Sequence, residues 1–177
     1  MLKWIAVPVF AFALASLPVV AQATAPASGE FFGCGPENIK FDVKFLKSSS
    51  AAPLEPGKAR VYFLEEDINL RFITHTSRID VDGKPMGATH GDSYFYFSVD
   101  PGVHHLCATT QFGVSSDEAS TGLLHFTAEA GGVYYFEMKN LSWPEGDAHD
   151  VSFLPLDSDQ GEYLVVRLAE VTSRQKK

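Results

Sequence analysis

Apolar and polar positions alternate along most of the chain in a way that predicts short β-strands. Residues 39–45 have a period of two, which is typical of a strand with one buried face. Residues 60–64 form a short apolar run that suits a central strand, and residues 94–99 are apolar on both faces. These patterns indicate a protein built mainly from β-sheet.

Turn residues predict that neighbouring strands pair as hairpins. Glycine tolerates the positive φ that tight turns need, and proline presets φ at one central turn position. Asp-Gly, Asp-Pro-Gly and Glu-Ala-Gly-Gly turns separate successive strand patterns. We therefore expect hairpins in residues 78–86, 94–109 and 123–138.

The C-terminal region predicts one edge strand followed by one helix. Residues 151–156 suit a short edge strand, and the Asp-Ser-Asp-Gln run at 157–160 offers N-cap chemistry for a helix over residues 160–171. We expect this helix to cover the sheet through Tyr163, Val166 and Leu168. Seven or eight short strands and one late helix predict an all-β fold, an antiparallel β-sandwich with a short C-terminal helix.

The N-terminus has the organisation of a signal peptide over residues 1–23. Lys3 precedes an apolar run at residues 5–20, and Ala21-Gln22-Ala23 fits the small-x-small rule for signal peptidase. A membrane anchor is the alternative, but the run is marginal for the roughly 20 residues that a bilayer requires. We expect an exported protein, periplasmic or extracellular, that contacts the membrane only through its uncleaved signal.

The sequence that follows the predicted signal indicates a single domain. Hydrophobic residues make up 45% of the 177 residues, which is enough to bury a core. We expect residues 24–36 to be a tether that leads to the first cysteine, residues 37–172 to form a single sandwich domain, and residues 173–177 to be a disordered tail.

Charge disfavours nucleic acid as a partner. The chain carries 14 basic and 22 acidic side chains, for a formal net charge of −8. Phosphate binding requires clustered lysine and arginine, and the folded part of the sequence shows no such cluster.

Cys34 and Cys107 are the only two cysteines, and export would place them in an oxidising compartment. An even pair of exported cysteines predicts a disulfide. A catalytic thiol or a metal-binding cysteine is the alternative. Cys34 also lies too far behind the apolar run to be a lipid-attachment site.

The histidines do not predict a metal or cofactor site. His104 and His105 are adjacent, so on a strand they point to opposite faces and cannot share a metal ion. We find no closely spaced ligand pair of the kind that zinc sites use, and we expect no cofactor. A pocket that joined two of the histidines 90, 104, 105 and 149 with an acid would instead favour a hydrolase.

Consecutive aromatic side chains at residues 94–97 suggest a possible binding surface. If only one face of this strand is core, the other could contact a sugar ring or a protein. The candidate residues for such a surface are Tyr94, Tyr96, His104 and Trp143. Cover by the C-terminal helix or by the Trp143-Pro144 loop is the alternative.

Three stretches also resemble a known sequence pattern. The runs VDGKPMG (81–87), SYFYF (93–97) and VDPGVHHL (99–106) resemble the PEGA-like pattern, in which V-x-V-D-G is followed by a strand and PG-x-H-x-L. Over residues 57–140 the chain is similar to a family of uncharacterised bacterial secreted proteins and lipoproteins, classed as a domain of unknown function. This resemblance implies a prealbumin-like or immunoglobulin-like sandwich of the cell envelope, and it brings no catalytic residues.

These observations predict a non-enzymatic binding or structural module of the cell envelope, with an envelope protein or a glycan as possible partner. The alternative is an exported hydrolase that uses a histidine–carboxylate pair. A third hypothesis is a small metal-carrying protein.

Overall fold

The computed structural model describes residues 34–48, 51–66, 76–111, 121–142 and 149–177. The predicted signal and most of the predicted tether lie outside the described residues. No helix within the described ranges is long and apolar enough to cross a membrane.

Strands and one helix make up most of the described chain. In order they are β1 (Phe41–Phe45), β2 (Ala59–Glu65), β3 (Thr76–Val81), β4 (Lys84–His90), β5 (Ser93–Val99), β6 (Gly102–Gln111), β7 (Thr121–Ala128), β8 (Val133–Ser142), β9 (His149–Leu156), α1 (Ser158–Arg167) and β10 (Ala169–Gln175).

The strands form two sheets that face each other, which confirms the predicted β-sandwich with a short C-terminal helix. The larger sheet has the order β1-β10-β5-β2-β8-β9, and the smaller sheet has the order β4-β3-β6-β7. Most neighbours are antiparallel, but β2 runs parallel to β8 and β10 runs parallel to β5. The predicted edge strand is β9.

Only the first of the three predicted hairpins forms. β3 and β4 pair antiparallel, as expected for residues 78–86. The turn after β5 instead carries the chain to the other sheet, where β6 pairs with β3 and β7, and the turn after β7 returns it to β8. A tight turn reverses the chain whether the two strands pair in one sheet or face each other in two sheets. Whether the next strand pairs beside the first or faces it depends on which apolar surfaces meet.

Alternating side chains of β2 contribute to two cores. Phe63 points between the sheets and stacks on Phe97, with ring centroids 5.6 Å apart. Tyr62 points to the outer face of the larger sheet and stacks on Tyr135, with centroids 5.0 Å apart. Because α1 packs on this outer face through Leu164, β2 and β5 are buried on both sides.

The helix covers the sheet with a different face from the one we expected. Tyr163 is 60% exposed and Val166 is 86% exposed, so the prediction for these two residues is wrong, whereas Leu168 is buried as expected. Gly161 and Leu164 lie on the same helical stripe as Leu168 and face the sheet. The helix ends at Arg167, because β10 begins at Ala169 and needs extended backbone.

The expected disordered tail is replaced by strand as far as Gln175. β10 pairs antiparallel with β1, and Phe41 lies opposite Gln175. The Lys176 N–H donates a further backbone hydrogen bond of 2.8 Å to the carbonyl O of Lys40. β1 thus supplies backbone hydrogen-bond partners for the C-terminal residues. The basic sequence at the C-terminus gives no indication of this pairing.

Candidate functional site

The outer face of β3 carries a buried ion pair. Ile79 and Val81 point into the core between the sheets, so the alternating positions Arg78 and Asp80 point to the opposite face. Arg78 Nη2 lies 2.8 Å from Asp80 Oδ2, and the side chains are 4% and 0% exposed. Two charged groups on an outer face are buried only where another segment covers them.

That segment consists of residues 34–40, which we call the strap. Arg78 Nη1 donates hydrogen bonds to the carbonyl O of Pro36 at 2.7 Å and to that of Ile39 at 3.1 Å. The Gly35 N–H donates to Asp80 Oδ2 at 2.9 Å. The ion pair therefore supplies both a donor and an acceptor to the strap backbone.

A disulfide between Cys34 and Cys107 attaches the start of the strap to β6, which confirms the predicted pairing. The S–S distance is 2.01 Å and the Cα atoms are 5.0 Å apart. Cys107 is fully buried and lies directly opposite Asp80 in the sheet. A Cβ at Gly35 would lie 2.8 Å from the carbonyl O of Gly83, so the strap passes too close to the β3–β4 turn for a larger residue.

The Asp80 carboxyl has an unusual environment. Burial raises its pKa, and the Gly35 N–H and the Arg78 guanidinium act in the opposite direction without cancelling that effect. Within the described part of the chain, Asp80 Oδ1 has no hydrogen-bond partner. The strap thus covers a carboxylate that is only partly satisfied, which is a costly arrangement once solvent is excluded.

His104 forms the histidine–carboxylate pair that the hydrolase hypothesis requires. Its Nδ1 donates to Asp82 Oδ2 at 2.7 Å, and its Nε2 donates to the carbonyl O of Asp100 at 2.7 Å. Asp82 Oδ1 accepts from the His105 N–H at 2.8 Å. Both ring nitrogens of His104 face acceptors, which favours the doubly protonated imidazolium and leaves no nitrogen to accept a proton.

Electrostatics at this pair follow from the same contacts. Burial lowers the pKa of His104, but the hydrogen bonds to the Asp100 carbonyl and the Asp82 carboxylate outweigh it, so the pKa is raised. Burial raises the pKa of Asp82, but the His105 N–H and the His104 ring outweigh it, so the pKa is lowered. Each group stabilises the charged form of the other.

His105 and His125 form a second histidine arrangement that the sequence analysis missed. They lie directly opposite each other on β6 and β7, with ring centroids 6.2 Å apart. Period-two alternation places both on the outer face of the smaller sheet. A prediction that β6 pairs with β7 would have placed these two histidines together, but we expected β6 to pair with β5.

The residues predicted to form a binding surface do not lie together. Tyr94 is 1% exposed and belongs to the core under α1, so it is not part of a surface. Tyr96 is half-buried, its OH accepts from the Ala52 N–H at 3.0 Å, and the Arg60 guanidinium lies over its ring. His104 lies in the other sheet, and Trp143 lies outside the described residues.

Among the residues described, no three His, Cys, Asp or Glu side chains are grouped closely enough to hold a metal ion. His90, one of the candidate histidines, shares a hydrogen bond of 2.8 Å with Thr76 Oγ1. The side chain of His149 is outside the described part.

Comparison with known proteins yields a family of unknown function. No curated protein and no solved structure matches the chain. The family model described as "Protein of unknown function (DUF2846)" matches residues 55–153, which include Cys107 but not Cys34, the strap, α1 or β10. Because this match covers more than half of the chain, the protein belongs to the DUF2846 family.

Proposed function

We propose that this protein is an exported, disulfide-linked β-sandwich that acts as a binding or structural module of the cell envelope. The observation that carries the proposal is the Cys34–Cys107 disulfide, which holds the strap over the Arg78–Asp80 ion pair. Disulfides of this structural kind form and persist outside the cytosol, where thiols are not kept reduced.

The N-terminal sequence supports export independently of the disulfide. A basic residue, an apolar run at residues 5–20 and the Ala21-Gln22-Ala23 motif have the order of a secretory signal. Cleavage after Ala23 would leave a short segment before Cys34, which then begins the strap. The periplasm and the extracellular space are both compatible with this organisation.

The disulfide has a clear physical role in such a compartment. It links residues that are 73 positions apart, and closing a loop of that size stabilises the folded state by about 4 kcal/mol in the chain-entropy model. It also keeps the strap backbone within hydrogen-bond distance of two buried charges.

The geometry of His104 supports this proposal over the hydrolase alternative. A general base must accept a proton from the nucleophile through a free ring nitrogen. In His104, Nδ1 is directed to Asp82 and Nε2 to the Asp100 carbonyl. The pair therefore fastens the β3–β4 turn to the start of β6, which is a structural role.

Cell fractionation combined with thiol alkylation tests the export part of the proposal. We expect the protein outside the cytosol, starting near Thr24, with both cysteines resistant to alkylation until a reductant is added. A matched chain that lacks residues 2–23 should stay in the cytosol and be alkylated. Full-length protein in the cytosol with two reactive thiols would contradict the proposal.

Binding assays on the purified mature protein test the role itself. We expect capture of an envelope protein or retention on a glycan array. We also expect no hydrolysis of ester or glycoside substrates that depends on His104. Turnover by the wild type that His104→Gln abolishes would instead establish the hydrolase.

A further inference from the structure

The outer face of β6 and β7 carries a cross-strand pair of imidazoles. His105 is half-buried and His125 is exposed, and they occupy directly opposite positions in an antiparallel ladder. Their ring centroids are 6.2 Å apart. The proposed envelope role makes no use of this pair.

Backbone hydrogen bonds show which kind of cross-strand pair this is. The carbonyl O of His105 accepts from the Asp82 N–H at 2.9 Å, and the His105 N–H donates to Asp82 Oδ1. Both backbone groups of His105 therefore point toward the end of β3 and away from β7. His105 and His125 are consequently a non-hydrogen-bonded pair, the type in which facing side chains come closest.

Two rings at this separation can reach one metal ion only after their side chains turn toward each other. Imidazole nitrogens bind Zn²⁺ at about 2.0–2.1 Å, so two rings that share one ion have centroids no more than about 6.5 Å apart. The observed separation of 6.2 Å lies just inside this limit, which applies to a nearly linear N–metal–N arrangement. Tetrahedral or cis coordination therefore requires the two side chains to rotate toward each other, which the exposed position of His125 allows. The β-ladder holds both Cα atoms in place, so little backbone ordering is needed when the ion binds.

Charges near the pair favour a cation. The Asp82 carboxylate lies on the β3 side of His105 and interacts with it electrostatically. The chain as a whole has a formal charge of −8. Asp82 itself is engaged by His104 and by the His105 N–H, so it acts through its charge and not as a ligand.

We propose that His105 and His125 together bind a divalent transition-metal ion through two imidazole nitrogens. The remaining coordination positions are left to water or to an external ligand. Imidazole suits Cu²⁺, Ni²⁺ and Zn²⁺, and the affinity of a nitrogen site rises toward Cu²⁺ in the divalent series. The order of binding strength at this site is therefore Cu²⁺ above Ni²⁺ and Zn²⁺.

Titration of untagged, chelator-treated protein with Cu²⁺, Ni²⁺ and Zn²⁺ tests the site by calorimetry and by NMR. We expect one Cu²⁺ site per chain, with paramagnetic broadening centred on residues 105 and 125. His125→Asn should weaken Cu²⁺ binding by about tenfold or more, since one of two ligands is lost. Because His125 is exposed, this variant should fold normally, and its unfolding transition provides the check.

His90→Asn is the matched control, because it removes a histidine from the smaller sheet at a distant position on β4. It should leave the affinity unchanged. His105→Asn should reproduce the loss seen with His125→Asn. The proposal is overturned if His125→Asn binds Cu²⁺ as tightly as the wild type. It is equally overturned if the wild type binds none of the three ions.

Discussion

Arg78 and Asp80 form an ion pair on the outer face of β3, with Nη2 2.8 Å from Oδ2, and both side chains are almost completely buried. They are buried because the strap crosses them, accepting hydrogen bonds from Arg78 and donating one to Asp80. The disulfide at Cys34 holds the strap in place. Covalent link, strap and ion pair thus form one structural unit.

Removing the disulfide should destabilise the protein strongly. We expect the double variant Cys34→Ser/Cys107→Ser to lose about 4 kcal/mol of unfolding free energy, because the unfolded chain regains the entropy of an open loop. Urea unfolding of oxidised wild type, reduced wild type and the double variant measures this loss. We expect the reduced wild type and the double variant to have the same unfolding free energy, well below that of the oxidised wild type. Three coincident unfolding curves would contradict the prediction.

Removing one member of the ion pair should destabilise the protein strongly. Removing both should cost less unfolding free energy than the two single losses added together. Arg78→Met and Asp80→Asn should each lower the unfolding free energy by about 3–5 kcal/mol, because each leaves a buried partner uncompensated. The double variant should lose less than the sum of the two, since no unpaired charge remains. A double-mutant cycle from urea unfolding measures the coupling. Strict additivity would show that the two charges do not act as a pair.

The His104–Asp82 pair should make stability depend on pH. The pKa of His104 is raised, so its contribution is full below the ordinary value of 6.5 and is lost as the pH rises through the folded pKa. The pKa of Asp82 is lowered, so its contribution is present above 3.8 and is lost as the pH falls through the folded pKa. The stabilisation is therefore greatest between these two limits.

Urea unfolding of wild type and His104→Gln measures this effect in buffer with a metal chelator. The stability difference between the two proteins should be larger at about pH 5.5 than at a pH above the folded-state pKa of His104, where the wild-type imidazole is uncharged. His90→Gln provides the control for general effects of histidine loss. A difference that grows with rising pH would contradict the assignment of His104 as a charged partner.

Gly161→Ala should destabilise the protein although alanine is the better helix former. A Cβ at this position would lie 2.2 Å from Cγ of Tyr135, so α1 would have to move off the sheet. We expect a loss of about 1–3 kcal/mol from overpacking, against the gain of about 1 kcal/mol that an exposed helix would show. Thermal unfolding checks the sign.

Val166→Ala on the same helix is the control for this substitution. Val166 is 86% exposed, so its truncation should change stability by no more than about 0.5 kcal/mol. An increase in stability for Gly161→Ala would mean that α1 does not pack on Tyr135.

The local spacing of apolar and polar residues was sufficient to predict the fold class. The alternation in residues 39–45, the apolar runs at β2 and β5 and the Asp157 N-cap all predicted the elements that the structure contains. The pairing of Cys34 with Cys107 also followed from the sequence, because a chain with two cysteines can form only one intramolecular bridge.

Which strands pair was decided by the tertiary structure. β5 and β6 are joined by a Pro-Gly turn that suits a hairpin, yet they lie in different sheets. Both edges of β5 are already paired in the larger sheet, one with β2 and the other with β10, so neither is left for β6. Consequently β6 pairs with β7, and His105 meets His125, which lies 20 positions farther along the chain.

The amino-acid sequence by itself determined the β-rich class, the turns, the N-cap and the disulfide, because each depends on neighbouring residues or on a unique pair. The tertiary structure alone decided that Arg78 and Asp80 are buried under the strap and that two distant histidines face each other. Such contacts depend on which apolar faces of the strands and the helix pack against each other in the folded protein. The local sequence pattern does not specify this packing, since many strand pairings satisfy the same alternation.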